Sequence, residues 1–310
     1  MRHPQQATEP GLPEAVTIYE VGPRDGLQNE STIVPTAAKI EFIERLIGAG
    51  LTTIETTSFV HPKWVPQLAD AEKVMAALDP AGPVAMPVLV PNEAGLDRAV
   101  ESGARWIAIF GSATEGLAKA NLNRTVDSQF AMFEPVVSRA RDLGLEVRAY
   151  VSMCFGDPWQ GDVPIDQVVG VGKRLFDLGA SQLSLGDTIG VGTPAHVTDL
   201  IQAFGAAGLP PTSLAMHLHD TYGQALSNAY AALRAGVTTF DASAGGLGGC
   251  PFTPGATGNL ATEDLAWMLE GLGIRTGVNL EALVETSVWM AGILGHRSES
   301  RVLRALTATV

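Results

Sequence analysis

Cysteine is almost missing from this chain: 310 residues hold two, Cys154 and Cys250. Two thiols cannot build a disulfide framework, and their scarcity fits a reducing compartment, so a cytoplasmic location is expected. No apolar run approaches the roughly 20 residues that a membrane-spanning helix requires, and no membrane partner is expected. Positive charge is also scarce. Lys and Arg number 20 against 33 Asp and Glu, the formal net charge is −13, and no long basic run occurs. Phosphate contacts need clustered cations, which argues against nucleic acid as a partner. An anionic ligand would have to be held by a few local cations or by a metal. The start, MRHPQQATEPGLPEAV, has no apolar signal core and contains acidic residues, unlike a secretion signal or transit peptide. Residues 1–14 read as a disordered leader.

What the chain has is a repeated unit. Hydrophobic residues make up 46%, enough for a large core. Eight short runs rich in Val, Ile, Thr and aromatics read as strands: 16–22, 52–59, 84–91, 105–113, 146–153, 182–188, 213–220 and 238–246. Helical patterns fill the gaps between them. In TAAKIEFIERLIGAG (36–50), Ile40, Ile43, Leu46 and Ile47 share one face and glycine follows. Several helices end the same way, at GAG, SGA, LGL, LGA, AGL and AGV, because glycine takes the left-handed cap without a Cβ clash. Strand, helix and glycine-terminated turn repeated eight times predict an α/β fold of the (β/α)8 TIM-barrel type. An open doubly wound sheet is the competing arrangement. The expected organisation is a single barrel domain over 1–310, with a helical extension from about 279 to 310.

In such a barrel the strand C-termini open on one face, which carries the active site. Polar residues gather at those ends. Arg24 and Asp25 follow the first run, Glu55 closes the second, Asp187 the sixth, and His217, His219 and Asp220 the seventh. His217 and His219, two apart on a strand, project to one face. They are either a pair of metal ligands or one core and one turn histidine. Asp25 and Asn259 tilt the choice to metal, because the first, eighth and seventh strands are neighbours in a closed barrel. Two nitrogens and two oxygens from Asp25, His217, His219 and Asn259 suit Mg2+ or Mn2+. Arg24 is either a surface cation paired with a neighbouring acid or a buried cation able to stabilise an oxyanion. Glu55 could serve the pocket or simply pair with Arg24.

Cys250 sits in AGGLGGCPFTPGATGN, where dense glycine permits sharp turns and close approach to a ligand. A thiol on such a loop can act as general acid or nucleophile. Cys154 reads as structural.

EVGPRDGLQNE (20–30), IETTSFVHPKWVPQLAD (54–70), SLGDTIGVGTP (184–194), HLHDTYGQAL (217–226) and GGLGGCPFTPGATGNLATEDLAWMLEGLGIRTGVNL (245–280) resemble the 3-hydroxy-3-methylglutaryl-CoA lyases. The resemblance runs from about residue 15 to 296. It implies an eightfold barrel, a divalent metal, a homodimer and an acyl-CoA thioester substrate. By motif it implies Asp25, His217, His219 and Asn259 as metal ligands. It makes Arg24 the enolate-stabilising cation and Cys250 the loop thiol that handles the product-side proton. Glu55 and Asp187 become pocket carboxylates, with Gln28 and Asn121 as further pocket residues. Arg297 is a candidate for the CoA phosphates. The chain departs from the family at Ser31, where a Lys is common, and near Asp157, where relatives often carry a second cysteine. Its tail also lacks the cysteine-containing peroxisomal ending of animal members.

The implied reaction is retro-Claisen cleavage of 3-hydroxy-3-methylglutaryl-CoA to acetyl-CoA and acetoacetate. The base that takes the alcohol proton stays open among His217, Asp25 and Asp187. A lyase of the same mechanism acting on citramalyl-CoA or an isoprenoid-chain homologue is the near alternative, with the loop 155–162 as the place to look. A condensing synthase fits less well, because synthases lack the thiol loop. A His-x-His hydrolase barrel would place its histidine pair after the first strand.

Overall fold

The structure is a computed structural model that describes residues 3–249 and 258–308. Nine strand segments, all paired in parallel, make one sheet. They are β1 (Thr17–Glu20), β2 (Thr53–Ile54), β3 (Thr57–Ser58), β4 (Val88–Leu89), β5 (Trp106–Ser112), β6 (Glu146–Ser152), β7 (Gln182–Asp187), β8 (Leu214–Leu218) and β9 (Thr239–Ala242). The order is β2-β1-β9-β8-β7-β6-β5-β4-β3.

β2 and β3, at opposite ends of that order, are halves of one strand interrupted at Glu55–Thr56. One edge bonds to β1: Tyr19 pairs Thr53, Glu20 pairs Ile54, and Glu55 N donates to Glu20 O at 2.8 Å. The other edge bonds to the next strand: Ile54 N donates to Ala85 O at 2.9 Å, Thr56 N to Pro87 O at 3.0 Å, and Thr57 pairs Val88. A single strand thus closes the sheet on itself, and the nine segments are eight barrel strands. Among the described residues no open edge of this sheet remains for another chain to extend.

Helices alternate with these strands: α1 (Thr36–Gly48), α2 (Ala71–Ala76), α3 (Glu93–Glu101), the single turn α4 (Glu115–Leu117), α5 (Val126–Asp142), α6 (Ile165–Leu178), α7 (Pro194–Ala206), α8 (Ala225–Arg234) and α9 (Thr262–Gly271). The buried face of α1 is Lys39, Phe42, Ile43 and Leu46. It lies about one residue round from the expected stripe, because Phe42 outweighs the half-buried Ile40 and Ile47. The glycines that end the helices, Gly50, Gly103, Gly144, Gly179, Gly208 and Gly236, all have positive φ, as the repeated motif requires. Two further helices, α10 (Leu280–Leu294) and α11 (Arg301–Thr307), follow the barrel. The tail after residue 297 is therefore largely helical.

From residue 3 on, the N-terminal segment runs against the barrel. Ala7 N donates to Gly271 O at 2.8 Å, Glu9 accepts from the Tyr230 hydroxyl, and Ala15 bridges to Arg275. These contacts fix residues 3–15 along α8 and the end of α9. The reason is local. Glu9 finds a hydroxyl and the Arg234 guanidinium, 3.2 Å away, on the exposed side of α8.

Both faces of a parallel barrel are buried, so strand parity separates lumen from helix layer. On β6, Val147, Ala149 and Val151 join the aliphatic core, while Arg148 and Tyr150 point inward. Gln182 and Ser184 of β7, His217 of β8 and Asp241 of β9 share that lumen. Leu183, Leu185, Met216, Leu218 and Phe240, at the alternate positions, pack outward.

Glu20 ends β1 on the outward parity and is fully buried. It accepts from Gly22 N at 2.8 Å, Ala244 N at 2.9 Å and the Thr262 hydroxyl at 2.6 Å. Glu263, also fully buried, takes Gly245 N on both oxygens at 3.0 Å. Burial pushes Glu20 up to about 7 and Glu263 up to about 8, and Glu20 adds to the rise at Glu263. Both carboxyls bind more protons folded than unfolded above about pH 4.5, so their contribution is complete at acid pH and declines as pH rises through 7 to 8. Glu263→Gln removes one titration while keeping an acceptor for Gly245 N. Its melting temperature should gain on the parent's by about 2 °C or more between pH 5 and pH 9 in thermal unfolding. A gap that stayed constant with pH would remove the account.

Candidate active site

The chain leaves β1 in one π-helical turn, Gly22–Gly26, started by Pro23 and closed by Gly26 N on Val21 O at 3.0 Å. The turn sends Arg24 down into the mouth of the barrel and leaves Asp25 at its rim. Arg24 is buried. Its Nε donates to Glu55 Oε1 at 2.8 Å, its Nη2 to Glu55 Oε2 at 3.4 Å, and its Nη1 to Asp25 Oδ1 at 2.6 Å. Glu55 occupies the break between β2 and β3 and also accepts from the Tyr150 hydroxyl. Of the two readings of Arg24, the structure gives the buried cation at a strand end. Its pairing with Glu55 is one of its anchors. Burial alone would lower its pKa, and the Glu55 and Asp25 charges override that and raise it.

Asp25, His217 and His219 converge: one ligand atom from each lies within 4.8 Å of the others. This is the one such cluster of His, Cys, Asp and Glu among the described residues. His217 Nε2 is 3.8 Å from Asp25 Oδ2, and the two imidazole centres are 5.3 Å apart. Asn259 belongs to the same group, since its Nδ2 donates to Asp25 Oδ2 at 2.9 Å and to Leu247 O at 3.0 Å. It arrives by an antiparallel bridge with His219. That approach depends on two glycines. A Cβ at Gly258 would sit 1.9 Å from Gly246 O, and one at Gly248, where φ is +110°, would sit 2.5 Å from Asn259 Nδ2. Burial pushes the Asp25 carboxyl up. Arg24, the two imidazoles and the Asn259 amide reverse this, and it stays ionised well below the usual carboxylate range.

His217 is oriented from beneath. Its Nδ1 lies 3.1 Å from Asp241 Oδ2. Asp241 also accepts from Ser184 Oγ at 2.8 Å, and both its oxygens are held by the Arg148 guanidinium. Burial opposes ionisation of Asp241, but Arg148 and His217 lower its pKa on balance. An ionised carboxylate there accepts a hydrogen bond from Nδ1–H, which turns Nε2 toward Asp25. Arg148 in turn stacks 3.8 Å over the Tyr19 ring and 4.9 Å from that of Tyr150. Arg148, Tyr150, Asp241 and Ser184 are site residues that the strand-end argument missed. The signal was present as polar residues alternating with aliphatic ones inside fully buried strands, as in EVRAYVS.

Asp187 is the last residue of β7, on the parity of Leu183 and Leu185. Its two oxygens accept from Val191 N and Gly192 N, each at 2.9 Å, and so anchor the loop after β7. Burial raises its pKa to about 6 against those backbone donors and the His217 charge. Gln28 is half-buried just beyond the π-turn, and Asn121 is exposed in the turn Ala118–Leu122. Arg297 is exposed and lines a cavity of about 260 Å3 with Glu30, Gly245–Gly248, Gly258 and Glu299. Cys154 is fully buried, with Sγ on Val151 O at 3.0 Å and its pKa raised by burial, in keeping with a structural thiol. Cys250 lies outside the described residues.

The site can therefore offer a cation two imidazoles, a carboxylate and an amide, with a buried guanidinium beside them. Comparison with known proteins places that geometry. The bovine mitochondrial hydroxymethylglutaryl-CoA lyase is 49% identical over 294 residues, covering 95% of this chain and 90% of its own. The crystal structure of hydroxymethylglutaryl-CoA lyase from Pseudomonas aeruginosa superposes with a TM-score of 0.93 at 45% identity, covering 96% of this chain and 98% of that one. An HMG-CoA lyase from Acinetobacter baumannii, solved with coenzyme A and 3-methylmalate, gives a TM-score of 0.90 at 36% identity, covering 96% and 97%. The profile of the HMGL-like family matches residues 15–289, and on these grounds the chain belongs to that family of barrel enzymes.

Proposed function

We propose that this protein cleaves 3-hydroxy-3-methylglutaryl-CoA to acetyl-CoA and acetoacetate with the help of Mg2+ or Mn2+ held by Asp25, His217, His219 and Asn259. The observation that carries the reading is the convergence of Asp25, His217 and His219 beside Arg24 in a chain whose relatives are lyases of this name. The donor set fits a hard divalent cation: an ionised carboxylate, two imidazoles and an amide that can turn its oxygen inward. When bound, the metal supplies acidity to the substrate's tertiary alcohol.

The rest of the chemistry falls to the side chains. The alcohol at C3 loses its proton, the C2–C3 bond breaks, and C3 becomes the ketone of acetoacetate. The bonding pair moves onto the thioester fragment as an enolate, which regains a proton at C2 to give acetyl-CoA. Arg24 has five N–H groups, three of them committed to Glu55 and Asp25. The remainder can face the enolate oxygen, with position and charge fixed by the same two acids. Asp25, His217 and Asp187 are the groups able to collect the alcohol proton. Cys250, on the loop that leaves Gly249, is assigned the donation to C2. Arg297, beside its cavity, is assigned to the CoA phosphates, and Gln28 and Asn121 remain candidate pocket contacts. We take the chain to be one barrel domain acting as a homodimer in the cytoplasm. No helix among the described residues is long and apolar enough to cross a membrane.

Purified protein with Mg2+ or Mn2+ should convert 3-hydroxy-3-methylglutaryl-CoA to products of the expected masses faster than it converts citramalyl-CoA or isoprenoid-chain homologues. A preference for one of the latter would reassign the acyl group and leave the mechanism in place. Arg24→Met should lower kcat by about 10²–10³ with a smaller change in metal affinity, because the guanidinium serves charge that develops during the reaction. Near-normal turnover would exclude that role. Cys250→Ala should keep fold and metal binding but lose about 10²–10⁴ in kcat, with Cys250→Ser recovering little. Alkylation of the parent should abolish activity, and a CoA ester should protect against it. An alanine variant within a few-fold of the parent would end the assignment.

A further inference from the structure

The end of α10 and the residues after it add nothing to the barrel wall, yet they touch each loop that carries a proposed metal ligand. His296 Nε2 lies 2.9 Å from Glu30 Oε2, in the segment that follows Asp25, and Thr32 Oγ donates to Leu294 O at 3.3 Å. Ser298 Oγ and Glu299 N both donate to Gly245 O, at 2.7 and 3.1 Å, at the root of the glycine-rich loop. Arg301 Nη1 donates to Asp220 Oδ2, one residue after His219. Asp220 is itself wired into the site, since its N donates to Gly258 O at 3.1 Å, beside Asn259, and its Oδ1 accepts from Ala225 N at 3.0 Å.

The segment is held rigidly enough to transmit position. Asp264 of α9 accepts from Ser300 Oγ at 2.6 Å, Val302 N at 2.8 Å and Arg301 N at 3.1 Å. Ser298 and Ser300 are buried, and Leu303 of α11 packs into the main core. The Arg301 side chain is 59% exposed, so its pair with Asp220 contributes little to global stability. Such a contact matters chiefly for the geometry of what it holds.

We infer that residues 296–301 are a positioning element that registers the three metal-ligand loops against one another, with Arg301 as the positioning residue for the His219–Asn259 side through Asp220. The inference rests on the metal reading above. It goes beyond that reading by giving the post-barrel segment a part in metal affinity.

The test is Mn2+ titration of metal-free protein, followed by electron paramagnetic resonance, for the parent, Arg301→Ala, Arg301→Lys, Asp220→Asn and the Arg301→Ala, Asp220→Asn double variant. Arg301→Ala should weaken Mn2+ binding about 3- to 10-fold, below the 10- to 100-fold typical of groups bonded directly to a metal ligand. Its metal-free melting temperature should stay within about 2 °C of the parent's, as expected for an exposed pair. Arg301→Lys should regain most of the affinity, and the double variant should be no weaker than the single ones, as for two groups acting through one contact. Saturating Mn2+ should bring kcat of Arg301→Ala back toward the parent's. Parental affinity in Arg301→Ala, additive losses in the double variant, or a loss that followed melting temperature without rescue by lysine would each overturn the inference while sparing the metal reading. A parent that bound no Mn2+ would overturn both.

Discussion

The ion pair between Arg148 and Asp241 is the contact on which the barrel interior turns. Both side chains are buried in the lumen, where an unpaired charge would cost several kcal/mol. Arg148 answers both oxygens of Asp241 and lies against the Tyr19 and Tyr150 rings. Asp241 then has a fixed charge and a fixed place, which orients His217. Tyr150 passes the same order sideways to Glu55, and Glu55 to Arg24 and Asp25. The residues at the mouth are aimed from below by a network with few loose ends. That is the general requirement for a site that must hold ligands without rearranging.

Outside the lumen a second set of acids does different work. Glu20, Asp187 and Glu263 lie on outward parity or on the helix layer, and each takes backbone amides instead of cations. They fasten loop roots. On the strands the division follows alternation: Asp241, at an inward position, meets arginine, and Glu20, at an outward one, meets a loop. A carboxylate at a strand end is therefore two different objects depending on parity.

Much of this was legible in the sequence. The barrel followed from eight strand-like runs and glycine-ended helices, and the convergence of Asp25, His217, His219 and Asn259 followed from which strands must be neighbours in a closed sheet. What was not legible came from contacts with no local pattern. Arg148 and Asp241 lie 93 positions apart, and neither shows anything unusual until the barrel brings them together.

The closed network beneath the cluster also limits where protons can travel. Tyr19 and Tyr150 hold their protons well above neutrality because burial, with the Glu55 charge, disfavours the phenolates. Arg148 stays charged, and Asp241 stays ionised beside it. Tyr19, Tyr150, Arg148 and Asp241 thus form an insulating floor beneath the cluster. Protons released and consumed in the reaction are then exchanged at the open mouth of the barrel, above that floor.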